Sequence, residues 1–311
     1  MTRRWLLILV FLFSGCLYAQ DPFQVHGYIQ GRFTDEPGTP DRLEIRRARL
    51  IISGDPISKF SYRFQVDFAK KPYLMDASVT WKFARPLAFT AGQMKIPFSA
   101  ESILSDNLNP PIARSRAVLS LAPGRDTGVQ GRDVGAEVFG GFHRNNGAIV
   151  EYSAGVFRGQ TFIYSPQVHY NATAARVLAH PIHGLSVGAD WYGSFDAPAG
   201  KVKRREDLEA QYDRGKLTLR AEQIFARDGT LERRGGYLLG AWRLSKNWET
   251  LSRADWLNTD INKANKASVA YIAGANRYLF NHAKVGFDAG AEHDEPSRWS
   301  SVMFAQVMLY F

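Results

Sequence analysis

Eight basic residues stand out in the first 125 positions because their spacing suits contact with an anion. Arg47 and Arg49 lie two apart, so in an extended chain both project from one face. Lys59 and Arg63 share a face on the next stretch, and Lys95 closes a later one. Arg114, Arg116 and Arg125 follow in an irregular segment or just after it. Planar guanidinium forks match phosphate oxygens, and such groups around a narrow water-filled passage select anions. The structural alternative is an arginine paired with an acid across an interior, with Asp67 and Asp76 as the obvious partners. Other chemistries are poorly served. The seven histidines are dispersed, and the close pair in His180-Pro181-Ile182-His183 spans a proline that marks a turn between strands. His143, His169 and His282 have no Gly-x-Ser-x-Gly or other catalytic segment to join. No metal and no cofactor are expected.

The elements that must position these residues are strands. Beyond Gln20 the chain alternates with period two, as in Phe60, Tyr62, Phe64, Val66 and Phe68 against Lys59, Ser61, Arg63, Gln65 and Asp67. Sixteen segments carry this pattern, near 23–33, 43–54, 58–69, 73–83, 86–95, 133–141, 147–157, 165–178, 184–195, 203–213, 216–226, 235–245, 247–257, 266–278, 281–292 and 299–311. Helical spacing is nowhere sustained. A mean hydropathy of −0.26 excludes a bundle of membrane-spanning helices. It does not exclude a membrane barrel, whose alternating strands average out as mildly polar. Trp81, Trp191, Trp242, Trp248, Trp256 and Trp299 fall mostly near strand ends, where interfacial girdles form. The expected fold is therefore all-β: a transmembrane antiparallel barrel of about sixteen strands. The last strand ends on Phe311, as bacterial outer-membrane barrels commonly do.

Export is expected as well. Arg3 and Arg4, the apolar run Trp5 to Phe13 and the small residues up to Ala19 form a secretory signal peptide, residues 1–19. A lipoprotein signal using Cys16 is the alternative. Cleavage after Ala19 removes the only cysteine and takes the formal charge from +9 to +7. Residues 20–311 would form one barrel domain without thiols. An exported basic chain is expected to meet small anions or anionic lipid rather than nucleic acid.

From Ile96 to Arg125 the alternation fails, although Phe98, Ile103, Leu104, Leu108, Ile112, Val118, Leu119 and Leu121 would gain by packing. Such a segment either folds into the lumen and narrows it, or lies outside as a loop with a small helix. The leading expectation for 96–125 is the inward-folded constriction loop of an anion-conducting porin. A non-conducting outer-membrane scaffold or adhesion barrel is the main rival, with an outer-membrane hydrolase behind it.

Several segments carry a resemblance. Ile45-Arg46-Arg47-Ala48-Arg49-Leu50, Tyr62-Arg63-Phe64-Gln65-Val66-Asp67-Phe68-Ala69 and Leu74-Met75-Asp76-Ala77 look like the opening strands of the phosphate-selective porin family, typified by porins O and P. Gly92-Gln93-Met94-Lys95-Ile96-Pro97-Phe98-Ser99 with Glu101-Ser102 resembles that family's most recognisable segment. Arg125 to Gln130, Gly155 to Gly159, and the final strand with Gln306 and Phe311 continue the order. The resemblance implies a sixteen-stranded outer-membrane barrel, a homotrimer in contact with outer-membrane lipid, narrowed by its third loop and passing small anions such as phosphate and chloride. This chain departs from the family in its short length. It also lacks a matching tyrosine-rich stretch and a full arginine ladder, so anion preference carries over better than phosphate specificity.

Overall fold

The computed structural model describes residues 23–311 apart from 72, 85, 145–146, 160–170, 196–201 and 281. The expected signal peptide, Cys16 and His169 lie outside the described residues. Sixteen strands follow one another: β1 Gln24–Asp35, β2 Arg42–Ile57, β3 Phe60–Asp67, β4 Leu74–Ala84, β5 Leu87–Lys95, β6 Arg132–Arg144, β7 Gly147–Phe157 and β8 Asn171–Ile182. The second half continues with β9 Leu185–Phe195, β10 Lys203–Arg214, β11 Leu217–Asp228, β12 Leu231–Arg243, β13 Trp248–Asn258, β14 Ala267–Leu279, β15 Ala283–Asp294 and β16 Ser300–Tyr310. Each pairs antiparallel with its neighbours, and β1 pairs with β16 to close the barrel. Closure leaves no unpaired edge, as a sheet in hydrocarbon requires.

Period-two alternation sorts the residues by face, with the polar side chains inward. On β2, Leu43 is 81% exposed on the outer surface while Arg49 is 4% exposed in the lumen. Phe64, Val79, Leu208, Phe225, Leu238 and Tyr271 likewise face outward. Outward-facing Trp81, Trp242 and Trp248 mark the end of the barrel where β1 begins and β16 ends. Trp191, Trp256 and Trp299 mark the opposite end. The wall therefore presents an apolar band with aromatic rims.

Three details correct the sequence reading. The start expected at 165 lies outside the described residues; from Asn171 the eighth strand runs through His180 to Ile182, so the turn falls at His183-Gly184. Its register shifts between Ala179 and Ile182, a break in the ladder that accommodates Pro181. Lys59 lies in the β2–β3 turn rather than on a strand face with Arg63, because Ser58 and Lys59 make the reversal. A third change comes from a bulge. Gln30 pairs with Arg47 but Gly31 pairs with Ile45, so Arg46 is the extra residue and joins Arg47 in lining the lumen.

Helix is confined, among the described residues, to α1 Ala100–Ile103 and α2 Arg116–Leu121, both in the β5–β6 connection. No helix there is long and apolar enough to cross a membrane.

The seam depends on one close approach. Phe311 N–H donates to the Gly27 carbonyl at 3.1 Å, and Gly27 N–H donates to the Phe311 carbonyl at 2.9 Å. A Cβ at Gly27 would collide with the Arg49 carbonyl and the Phe311 ring, whereas one at Gly31 would meet nothing within 4 Å. Gly27→Val is therefore expected to cost folding yield, measured as heat-modifiable barrel on gels, while Gly31→Val folds normally. Deleting Phe311 removes both seam bonds and is expected to impair assembly more than replacing Phe304 within β16.

Candidate functional site

Residues 96–131 leave β5, cross the lumen and return to β6. The inner wall supplies hydrogen-bond partners for their backbone. Carboxylates accept from N–H groups: Ser99 to Asp190 on β9 at 2.6 Å, Glu101 to Glu222 on β11 at 2.7 Å and Ile112 to Asp288 on β15 at 2.7 Å. Cationic and amide side chains donate to carbonyls. Arg32 reaches Ile112 at 2.7 Å, Arg253 reaches Ala113 at 2.5 Å and Arg205 reaches Leu121 at 2.8 Å. Asn276 bonds Pro110 at 2.8 Å, and Lys284 bonds Asn109 at 2.9 Å. Inside the loop, Glu101 accepts from Ser115 N–H at 3.0 Å and from Asn109 at 3.3 Å.

An apolar contact reinforces this polar framework. Val118, Leu121 and Ala122 of the loop are buried in one cluster with Ile224, Tyr237, Leu239, Leu251 and Leu257 from β11, β12 and β13. Each large side chain so buried contributes about 1.5–3 kcal/mol. Of the two positions left open by the sequence, the loop therefore takes the inward one.

The opposite flank of the loop is basic. Asp106 is the centre, with Arg47 at 3.0 Å, Arg49 at 2.8 Å and Arg114 at 2.8 Å. Burial works to raise its pKa, but Arg47, Arg114, Arg49 and Arg125 together hold the carboxyl well below its usual range. Arg49 also donates to Asp67 at 2.9 Å and to the Tyr28 hydroxyl at 2.7 Å. Gln130 accepts from both Arg47 and Arg49. A recess of about 290 Å³ opens beside this cluster. It is lined by eight arginines and lysines against only Glu36 and Asp106.

The predicted residues divide into groups. Arg47, Arg114 and Arg125 line the recess, and Arg49 lies behind it, bonded to Asp106 and Gln130. Lys95 lies on the other side of the loop, donating to the Ile103 carbonyl at 2.5 Å, beside a cavity of about 480 Å³ that Glu137, Glu151 and Arg176 also line. Arg63 stays on the wall, bonded to Asp76 at 3.0 Å and Gln65 at 2.8 Å. Arg116 turns to β15 and is neutralised by Asp294 at 2.6 Å and Glu292 at 3.6 Å. Lys59 is exposed in its turn and takes no part in the recess. The expected partners are real in four cases, since Asp67 pairs with Arg49 and Arg47, and Asp76 with Arg63 and Arg132.

Five basic residues of the recess were missed: Arg32, Arg42, Arg46, Lys70 and Lys71. Arg32 follows from the alternation Gln30, Arg32, Thr34 on β1, all buried in the lumen. Arg46 depends on the bulge, which no sequence pattern announces. Among the described residues, neither Arg32 nor Arg125 has a carboxylate within 4.0 Å. Arg32 bonds Gln306 and the Ile112 carbonyl, while Arg125 bonds the Ser102 hydroxyl at 3.1 Å and its carbonyl at 2.6 Å. Burial and then the adjacent Arg114 depress the Arg125 pKa, a measure of how strongly positive charge is crowded there.

Residues 23–179 match the family of phosphate-selective porins O and P. The chain belongs to that family. The matched half contains β1 to β7, the loop and most of β8, and so nearly every residue of the basic recess. No curated protein matches the chain. Solved outer-membrane structures share its fold. Salmonella typhi OmpF, in a complex with daunomycin, is 11% identical with a TM-score of 0.74, covering 94% of this chain and 98% of its own. The trimer form of Vibrio cholerae OmpT is 11% identical with a TM-score of 0.67, covering 94% and 100%. The outer-membrane channel DcaP of Acinetobacter baumannii is 13% identical with a TM-score of 0.64, covering 93% and 97%. Family and fold together identify an outer-membrane channel protein.

Asp106 gives this porin's loop a testable dependence. A carboxylate whose folded pKa is depressed adds stability above its unfolded value, and that stability is lost as pH falls through the lower folded value. Breaking a buried pair of this kind costs on the order of 3–5 kcal/mol. Asp106→Asn is expected to make the loop more sensitive to protease at neutral pH. The difference from the parent is expected to persist down to about pH 4, the ordinary carboxylate value, and to close only below it.

Proposed function

We propose that this porin is an anion-selective diffusion channel of the bacterial outer membrane, with its selective point at the recess formed by β1, β2 and the inward loop. The observation that carries the reading is the charge balance there: eight basic side chains against two acids. A buried guanidinium without a carboxylate partner, as at Arg32 and Arg125, is stabilised by any anion that approaches. The planar forks of Arg46, Arg47, Arg114 and Arg125 suit oxyanions such as phosphate, and chloride is drawn by the charge alone. A barrel serving only as a scaffold or an adhesin has no need of such an imbalance. The same reading has the chain exported by residues 1–19, assembled as a homotrimer like its family, and without catalytic activity. Solute would enter the recess, pass the loop and leave by the cavity beside Lys95.

The loop-anchoring roles of Lys95 and Arg116 make them poor probes of selectivity. Arg46 is better: its side chain is 31% exposed and its ion partner, Glu44, is 3.8 Å away. A unit charge within about 4 Å contributes roughly 1–4 kcal/mol between bulk water and a partly confined site. Reversal potentials in planar bilayers under a potassium chloride gradient should show anion preference in the parent. Arg46→Glu and Arg125→Gln should lower it several-fold with the barrel still assembled. Lys246→Glu, in the β12–β13 turn, should act weakly and fade with salt, since charges beyond a Debye length of about 8–10 Å are screened. Equal reversal potentials for the three variants and the parent would refute the reading.

A further inference from the structure

A patch of carboxylates lies on the wall beneath the loop, away from the basic recess. Asp190 on β9 stands directly opposite Asp207 on β10, and Glu209 on β10 stands opposite Glu222 on β11. Like charges in directly opposed positions are destabilising, so each acid here needs a reason. Three have one. Backbone N–H groups of the loop bond two of them, Ser99 to Asp190 and Glu101 to Glu222, and Glu209 has a guanidinium beside it. Arg176 adds one positive charge, 2.7 Å from Glu209 and 3.4 Å from Asp190.

Asp207 has no such partner. It is 1% exposed, and among the described residues neither of its carboxylate oxygens has a hydrogen-bond donor. Glu222 repeats the problem with its second oxygen, also buried and without a donor, on a carboxyl that lies against Asp207. A buried carboxylate in this condition needs a cation or a proton. Oxygens of Asp190, Asp207 and Glu209 all fall within 4.8 Å of one another. Oxygens bound to one calcium ion at 2.3–2.6 Å can be at most about 5 Å apart, so the spread matches a single ion.

We propose that Asp190, Asp207 and Glu209 bind a hard divalent cation of the calcium class, with the free oxygen of Glu222 completing the set. The donors are all oxygens, with neither imidazole nor thiolate among them, which disfavours softer transition metals. Magnesium demands a near-ideal octahedron and retains several waters, which an enclosed side-chain cluster does not accommodate. With Arg176, four carboxylates leave a formal charge of −3, which one divalent ion reduces to −1. The ion is captured as the loop closes over it. It then rivets residues 99–101 to β9, β10 and β11, opposite the basic recess. This assignment stands whatever solute the channel passes.

The test uses the full folded protein, stripped with chelator and titrated with calcium chloride. Terbium(III) is the optical probe, sensitised by Tyr237, whose hydroxyl bonds Glu222 at 2.7 Å. In the parent, calcium should raise the unfolding temperature and displace terbium emission, and magnesium at equal concentration should do neither. Asp207→Asn removes one of the crowded charges without changing shape, and Glu209→Gln tests a second ligand. Each should weaken calcium binding by on the order of 10–100-fold, at least the loss that outer-shell changes produce at metal sites. Calcium without effect on the parent, magnesium acting equally, or an unaltered calcium response in both variants would overturn the proposal. The four carboxyls would then hold a shared proton instead.

Discussion

Residues 96–131 carry main-chain N–H and C=O groups across a lumen, and those groups must be hydrogen-bonded wherever water is displaced. The inner wall meets that demand with charge. Asp190, Glu222 and Asp288 take the N–H groups, while Arg32, Arg205, Arg253 and Lys284 take the carbonyls. Much of the ionisable lining of this barrel thus has a structural task before any solute arrives. Fixing a loop costs conformational entropy at every residue, on the order of 1–2 kcal/mol each. The bonds to the wall offset it, together with the apolar seat of α2 on β11 to β13.

Satisfying the loop divides the charges unevenly. Acids gather on β9 to β11, where N–H groups of the loop approach. Cations gather on β1, β2 and the returning half of the loop, around Asp106, with Asp67 behind it on β3. Asp106 can neutralise only part of that group, and Arg32 and Arg125 lie outside its direct reach. The result is a rigid positive concavity on one side of the lumen, held by side chains that are themselves locked. Preorganised charge of this kind needs no rearrangement to meet an anion. A flexible loop bearing the same residues would spread them through solvent, where screening weakens them.

Fold and function draw on different parts of the chain. Barrels sharing only 11–13% identity superpose over nearly its whole length, so many sequences satisfy the strand alternation. The family match covers residues 23–179, which contain the arginines of β2, the loop and Asp106. Closing the wall needs only an apolar outer face and a polar inner one. Placing charge in the lumen needs particular residues, and most of the basic recess lies within the matched range.

The strand count, the apolar band, the terminal seam strand and the break at Ile96 were all legible in the sequence. Each follows from period-two alternation, which is a local property of the chain. Arg47 and Arg49 were legible for the same reason, since alternation alone puts them on the polar face. Tertiary structure decided which cations converge. Arg116 and Lys95 were sequence neighbours of the recess in character, yet packing of the loop sends one to Asp294 and the other to the Ile103 carbonyl. Arg46 reaches the lumen through a bulge, and Lys59 leaves the wall through a turn. Asp207 is unpartnered only because three strands and the loop meet there. Periodicity assigns a side chain to a face; its partners are set by which distant segments fold against that face, and no local pattern encodes those contacts.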